Sequence, residues 1–296
     1  MDYYLKCSLC HRNCNINRYE EKGICNASNN LKIARAALHY WEEPCISGEE
    51  GSGTIFFSNC NLKCIFCQNR EISTKGFGKE VSIEKLSEIC LELQEKGANN
   101  INLVTPTHYV PSIIKSIKQA KEKGLKIPVV YNTSTYENID TIKMLKDTVD
   151  VYLPDLKYKD DDLAKKYSNV KDYFKYATEN IDEMYKQVGK PIFEKDLMKK
   201  GIIVRVLLLP GHVEDAKEII KYLYEKYQNN IYISIMNQYT PISKLKYDNL
   251  NRKVTEKEYD ELINYAIDLG VENAFVQEGE TQSESFIPSF NLEGVN

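Results

Sequence analysis

The sequence predicts an α/β fold, a partial (β/α)6-type, TIM-like barrel preceded by a small N-terminal cysteine-rich module. Three observations carry that expectation. After residue 50, short β-rich runs alternate seven times with longer helical ones. The short runs are dense in Ile, Val and Leu, as strands buried on both faces of a parallel sheet are. Thiols and polar groups gather just after these runs, where the loops of such a barrel form its active site.

Residues 1–50 stand outside the repeat and read as a metal-binding module plus connector, with residues 31–40 helical. Residues 53–58 (GTIFFS) are the first strand. Residues 82–96 carry Ile83, Leu86, Ile89 and Leu93 at helical spacing, and Gly97 is placed to end that helix. A strand over 101–104, a helix over 111–123, a strand over 127–131, a short helix over 140–146 and a strand over 151–153 follow. A long polar helical region is expected over 160–188. The cycle resumes with a strand over 202–209, a helix over 214–227, a strand over 231–236, a helix over 256–269 and a strand over 274–277. Residues 51–240 form the barrel core on this reading, and 241–296 form a helix–strand extension that covers it. Cover for the open mouth is expected from 160–201 and from the tail 277–296.

Composition excludes several classes. The chain is 42% hydrophobic and 28% charged, ordinary for a soluble globular protein. Its net charge of −4 gives no electrostatic support for nucleic-acid binding or for an anionic membrane surface. No apolar run reaches the length of a membrane span, and MDYYLKCSLC lacks a signal-peptide core, so a cytoplasmic, reducing setting is expected. In that setting nine cysteines are not a disulfide framework. Their grouping points to metal: Cys7, Cys10, Cys14 and Cys25 lie together, and Cys60, Cys64 and Cys67 form a second group.

In SNCNLKCIFCQN the thiols are spaced C-x3-C-x2-C. Three thiolates bind three irons of a cubane and leave the fourth iron without a protein ligand, whereas clusters that only transfer electrons usually have four cysteines. A zinc or four-thiolate site completed by a remote cysteine is the bland alternative. Three close cysteines directly after a strand, at the head of a β/α pattern, weigh against it. With Phe66 just before the last cysteine, the segment resembles the signature of the radical S-adenosylmethionine (SAM) superfamily. The resemblance implies a [4Fe-4S] cluster whose open iron grips the amino and carboxylate groups of SAM. It also implies reductive cleavage to a 5′-deoxyadenosyl radical, and a low-potential electron donor such as flavodoxin or ferredoxin.

The likeness runs further. WEEPCISGEEGSGTIFFSNCNLKCIFCQNREIS, INLVTPTHYVPSI, VYLPDLKYKD, VRVLLLPGH and FIPSFNLEGV together resemble the PflX family, relatives of the pyruvate formate-lyase activating enzyme. Superfamily members often carry a Gly-Gly-Glu run after the second strand for the methionine amino group. Thr105, Pro106, Thr107 and His108 fill that place, so Thr105 and Thr107 are the expected contacts. The match of Asp155-Leu156-Lys157 to the activase DLK implies that Lys157 meets the cofactor carboxylate and that Asp155 helps bind a monovalent cation. Asn132 and Ser134 fall where the third strand faces ribose or that cation, Arg205 matches an activase arginine, and Gln68 and Gln238 complete the cofactor set. Simpler readings stand beside these: Arg205 pairing with a carboxylate inside the barrel, and Lys157 as a solvated loop residue.

His108 is either a substrate-facing acid/base or a structural hydrogen-bonder. Cys45 is either a hydrogen-donating thiol near the radical or a small buried hydrophobe. His212 reads as structural, and His11 beside Cys10 is a conceivable ligand. The C-x2-C-x3-C-x10-C set at the N-terminus suits structural zinc or a second iron–sulfur cluster, and spacing does not choose between them. The functional expectation is hydrogen abstraction from a substrate the sequence does not name, whether small molecule, peptide or partner enzyme. A glycyl-radical activase is one alternative, although activases commonly carry extra cysteines after the three-cysteine loop and here they precede it. A non-enzymatic iron–sulfur or zinc protein is the other, including a zinc-stapled nucleic-acid module.

Overall fold

The computed structural model describes residues 2–277 and 288–295. In chain order, β1 (Leu31–His39), the one-turn α1 (Pro44–Ser47), β2 (Ser52–Phe57), the short α2 (Arg70–Ser73) and β3 (Lys79–Val81) lead into α3 (Ile83–Glu95). Next come β4 (Ile101–Val104), α4 (Val110–Glu122), β5 (Val129–Thr133), α5 (Ile139–Met144) and β6 (Val151–Pro154). After α6 (Asp161–Ser168), α7 (Tyr173–Val188) and β7 (Ile192–Glu194), the chain closes with β8 (Leu197–Leu207), α8 (Val213–Tyr227), β9 (Tyr232–Met236), α9 (Glu256–Leu269) and β10 (Ala274–Val276). Strands β2, β4, β5, β6, β8, β9 and β10 run parallel, side by side in that order. The seven runs read from the sequence therefore form one parallel sheet with helical crossovers, as a partial barrel requires. Among the described residues no helix is long and apolar enough to cross a membrane.

Alternation along the strands separates two apolar layers. Val129, Tyr131, Tyr152, Ile202 and Val204 join the large core with residues of α3, α4, α7, α8 and α9. Their chain neighbours Val130, Val151, Leu153 and Ile203 point the other way and form a smaller cluster with Cys45, Ile46 and Met198. Asn99 and Asn100, which lead into β4, donate to the carbonyls of Ser47 and Ile46 at 2.7 Å each. That anchors α1 at the N-terminal ends of the strands, as a floor to the barrel. The opposite ends are left for the site.

Several elements differ from the sequence expectation. Residues 31–40 carry apolar groups at helical spacing, with Ala34, Ala36 and Ala37 among them, yet they form β1. The strand pairs antiparallel with β2 from Ile33↔Phe57 to His39↔Ser52. Covering the open edge of β2 outweighs a helix propensity of a few tenths of a kcal/mol per alanine (~0.5). The single helix expected over 160–188 breaks into α6 and α7, because Asn169 and Asp172 both take the left-handed conformation at φ 52. Strand β8 starts at Leu197 rather than 202, paired antiparallel with β7 across Lys195 and Asp196 at φ 49 and 65. Residues 288–295 return beside β1. There the Leu292 N–H donates to Ala34 O (3.1 Å), the Ala36 N–H donates to Glu293 O (2.8 Å), and Arg35 meets Glu293 at 2.9 Å. Residues 278–287 of the expected covering tail lie outside the described residues.

Candidate active site

Strand β2 ends at Phe57, and the chain turns through Asn59 at φ 75 into the three-cysteine loop. Cys60, Cys64 and Cys67 line one cavity of about 260 Å³ at the C-terminal ends of the strands. Around it the fold collects Gln68, Thr105, Asn132, Ser134, Asp155, Lys157, Arg205 and Gln238, from β2, β4, β5, β6, β8 and β9 or the loops that follow them. Cys64 Sγ lies 2.9 Å from the Ser168 hydroxyl and Cys67 Sγ 3.3 Å from that of Ser73. Burial, reinforced by the neighbouring sulfurs, pushes the Cys60 thiol well up. Burial also lifts Cys64, to about 11, against the opposing charge of Lys157. Without a metal these sulfurs hold their protons, and metal ligation is what makes them thiolates. Among the described residues no fourth cysteine lines the cavity.

Opposite the thiols runs a buried charge network. Asp155 stands one residue past β6 and bridges to Arg205 on β8, on the same face as Leu153 and Ile203. Its Oδ1 is 2.8 Å from the Arg205 guanidinium and its Oδ2 2.7 Å from Lys157 Nζ. Arg205 also donates to Asn132 Oδ1 at 2.5 Å and reaches Glu42 at 3.5 Å. Burial works to raise the Asp155 carboxyl, but Arg205 and Lys157 together hold it below the ordinary carboxylate range. Glu42 goes the other way: burial lifts it in spite of Arg205. The Tyr173 hydroxyl locks the loops together, donating to the carbonyls of Ser134 (3.0 Å) and Asp155 (2.9 Å) and accepting from the Lys157 N–H (3.2 Å).

Not every residue expected at the site is there. Thr105 is, and it holds φ 58, a left-handed conformation costing a β-branched residue about 1–2 kcal/mol. Its N–H donates to Asn132 O at 2.9 Å. Thr107 is not: it is fully buried, and its hydroxyl donates to Glu137 Oε1 at 2.6 Å. After Thr105 the chain winds into a 3-10 turn over Thr107–Tyr109 that faces away from the cavity. His108 goes with it. Its Nε2 meets Ser58 O at 2.8 Å, and burial, with the Arg18 charge, drives its pKa down to about 3, so the ring is neutral and structural. Cys45 sits in the barrel floor at 5% exposure, far from the hydrogen-donor role. Gln68 and Gln238 lie at the cavity and tie to each other, Gln68 Nε2 donating to Gln238 O at 2.8 Å.

Both Asp155 oxygens already have cationic partners, which bears on the expected monovalent cation. Arg205 matches its simpler reading, paired with carboxylates inside the barrel, while still lining the cavity. His212 bonds the Tyr167 hydroxyl at 2.9 Å, and the His11 ring stacks on Tyr176 at 3.4 Å. Cys7, Cys10, Cys14 and Cys25 line a second, separate cavity. Tyr239, expected with Gln238 just after its strand, lines the first, as do His39, Trp41, Glu42 and Asn59, to which sequence reasoning gave no role. The paired acids in WEEPC and the one tryptophan of the chain were the available signals for the connector's share.

Residues 54–223 match the Radical SAM superfamily. An uncharacterized protein of Methanocaldococcus jannaschii is 30% identical over 273 residues, which cover 89% of this chain and 75% of that one. Among solved structures, Streptococcus suis SuiB bound to S-adenosylmethionine is similar over 75% of this chain and 49% of its own, with TM-score 0.51 and 15% identity. HydG, a maturase of the [FeFe]-hydrogenase, is similar over 77% of this chain and 52% of its own, with TM-score 0.52 and 15% identity. The chain spans about half the length of these two solved proteins, and at such identities the likeness is one of fold.

Proposed function

The chain belongs to the radical SAM superfamily, and from that premise we propose that it abstracts a hydrogen atom from a substrate admitted at the barrel mouth, as a member of the PflX branch. Superfamily membership makes it a SAM-cleaving iron–sulfur enzyme. The residues present fit that cofactor pair. The donor set is three thiols on one cavity with no fourth cysteine among the described residues, which suits a cubane with one open iron. When bound, the cluster and SAM supply reductive cleavage of the sulfonium and a 5′-deoxyadenosyl radical.

This chain's own part is to hold and orient. Lys157, fixed by Asp155 at 2.7 Å, offers its ammonium to the methionine carboxylate. Thr105 presents its backbone and hydroxyl toward the methionine amino group, and Asn132 and Ser134 face the ribose. Arg205, paired with Asp155 at 2.8 Å, holds that carboxylate in place beside Lys157. A low-potential one-electron donor of the flavodoxin or ferredoxin kind serves the cluster. The observation that carries the reading is the open set of three thiols facing a cationic, hydrogen-bonding wall in one cavity.

The test is anaerobic reconstitution with iron and sulfide, then dithionite and SAM, with 5′-deoxyadenosine as the product assayed. Wild type forms it, and Cys60→Ala, Cys64→Ala and Cys67→Ala each abolish it. Product surviving all three changes would overturn the proposal. Glycyl-radical formation on an added partner enzyme would identify the reaction as activation.

A further inference from the structure

Cys64 has a neighbour that the proposed reaction leaves without a task. The Ser168 hydroxyl lies 2.9 Å from Cys64 Sγ and 2.7 Å from the Tyr158 hydroxyl. Ser168 and Tyr158 are both buried. Neither lines the cavity that Cys64 shares with Cys60 and Cys67. The hydroxyl therefore meets the sulfur from behind, on the side away from the space left for SAM.

The direction of the two hydrogen bonds follows from where the protons are. A cysteine sulfur bound to metal has lost its proton and can only accept. Ser168 has one hydroxyl proton and two lone pairs, so it donates to Cys64 Sγ and accepts from Tyr158. The phenol thus fixes the serine rotor and polarises the O–H that points at the sulfur.

The backbone holds Ser168 in this geometry. Ser168 is the last residue of α6, and Asn169 ends the helix in the left-handed conformation at φ 52. The closing carbonyls of a helix lack partners within it. Arg12 of the N-terminal module supplies them, donating to Ser168 O at 3.4 Å and to Asn169 O at 2.5 Å. Its Nε donates to Asn61 O at 2.9 Å, beside Cys60. The Ile65 N–H, beside Cys64, donates to Tyr167 O at 2.9 Å. The cysteine loop and the end of α6 are thus tied together on both sides of the sulfur–hydroxyl contact.

We infer that Ser168 is a positioning residue that makes the cluster easier to reduce, by donating a hydrogen bond to the Cys64 sulfur. An added electron increases the negative charge on the sulfur ligands, and a fixed O–H aimed at one of them stabilises the reduced state over the oxidised one. The electron comes from the low-potential donor, the proton stays on Ser168, and no bond is made or broken. The inference rests on the cluster proposed above.

The full chain is reconstituted anaerobically, its iron and sulfide are measured, and the electron paramagnetic resonance of the reduced cluster is followed against potential in wild type, Ser168→Ala and Tyr158→Phe. Removing the serine hydroxyl should lower the ratio of reduced to oxidised cluster at a fixed potential by about tenfold, a midpoint roughly 59 mV lower for one electron. Tyr158→Phe should shift it in the same direction by less. A wild-type midpoint in Ser168→Ala would overturn the inference. If that variant holds no iron, an unshifted midpoint in Tyr158→Phe would overturn it. Wild type without iron and sulfide would instead overturn the cluster itself, and the inference with it.

Discussion

Arg205 faces more unlike partners than any other side chain at the cavity: the carboxylates of Asp155 and Glu42 and the amide oxygen of Asn132. Replacing it by methionine leaves Asp155 with Lys157 alone and Glu42 without its cation. Loss of one member of a buried ionic network costs about 3–5 kcal/mol, so Arg205→Met should lower unfolding free energy in urea by that order at pH 7. The pH dependence follows from the directions. Asp155 is held below its ordinary range, so its contribution is present above that range and is lost as pH falls through its depressed value. Glu42 is raised, so its ionisation costs stability as pH climbs from the ordinary range to its lifted value. Both carboxyls lean on Arg205, and the deficit of the variant should shrink as pH falls from 7 to below the ordinary aspartate value of 3.8, where Asp155 itself takes up its proton. A deficit independent of pH would mean that Arg205 acts by packing alone. Cys45 gives the contrasting expectation. It fills the barrel floor, so Cys45→Ala should cost on the order of 1 kcal/mol while 5′-deoxyadenosine formation stays at the wild-type rate; a lost rate would restore it to the site.

Among elements, the return of residues 288–295 alongside β1 is the most exposed to a single change. Gly294 takes φ 69, and a side-chain carbon there would lie 1.9 Å from Ala36 O, so no alanine fits without moving backbone. Gly294→Ala should free the segment, and hydrogen exchange at the Ala36 and Leu292 amides, which pair across it, should quicken many-fold. Unchanged protection would show that the segment docks by other contacts. Local signals were readable at this scale. The parallel strands announced themselves by short runs rich in Ile, Val and Leu, and the three-cysteine loop by ligand spacing within eight residues of chain. What stayed hidden depended on partners distant in sequence. The alanines of β1 favour helix until the edge of β2 is present to pair with. Glu42 and Arg205 lie 163 positions apart and meet only in the closed sheet. Thr107 and His108 share a post-strand position with Thr105, but one 3-10 turn carries them to the far side, a change of face no spacing rule registers.

At the scale of the molecule, the floor and the mouth of the sheet divide the labour. Apolar side chains and α1 seal the N-terminal ends, while thiols, amides and charges collect at the C-terminal ends, where a parallel α/β sheet offers backbone from many loops at once. The strands supply rigid positions for groups that must not relax when a charged cofactor arrives. The proposed chemistry turns on an iron held by the loop of Cys60, Cys64 and Cys67 and left free to bind the amino-acid end of SAM. Electron–nuclear double resonance on the reduced, reconstituted protein, with SAM carrying nitrogen-15 in its amino group and oxygen-17 in its carboxylate, addresses that iron alone. An iron bound by SAM should show hyperfine coupling from both labels, abolished in Cys64→Ala; a reduced cluster that shows neither coupling would mean that SAM does not bind the iron.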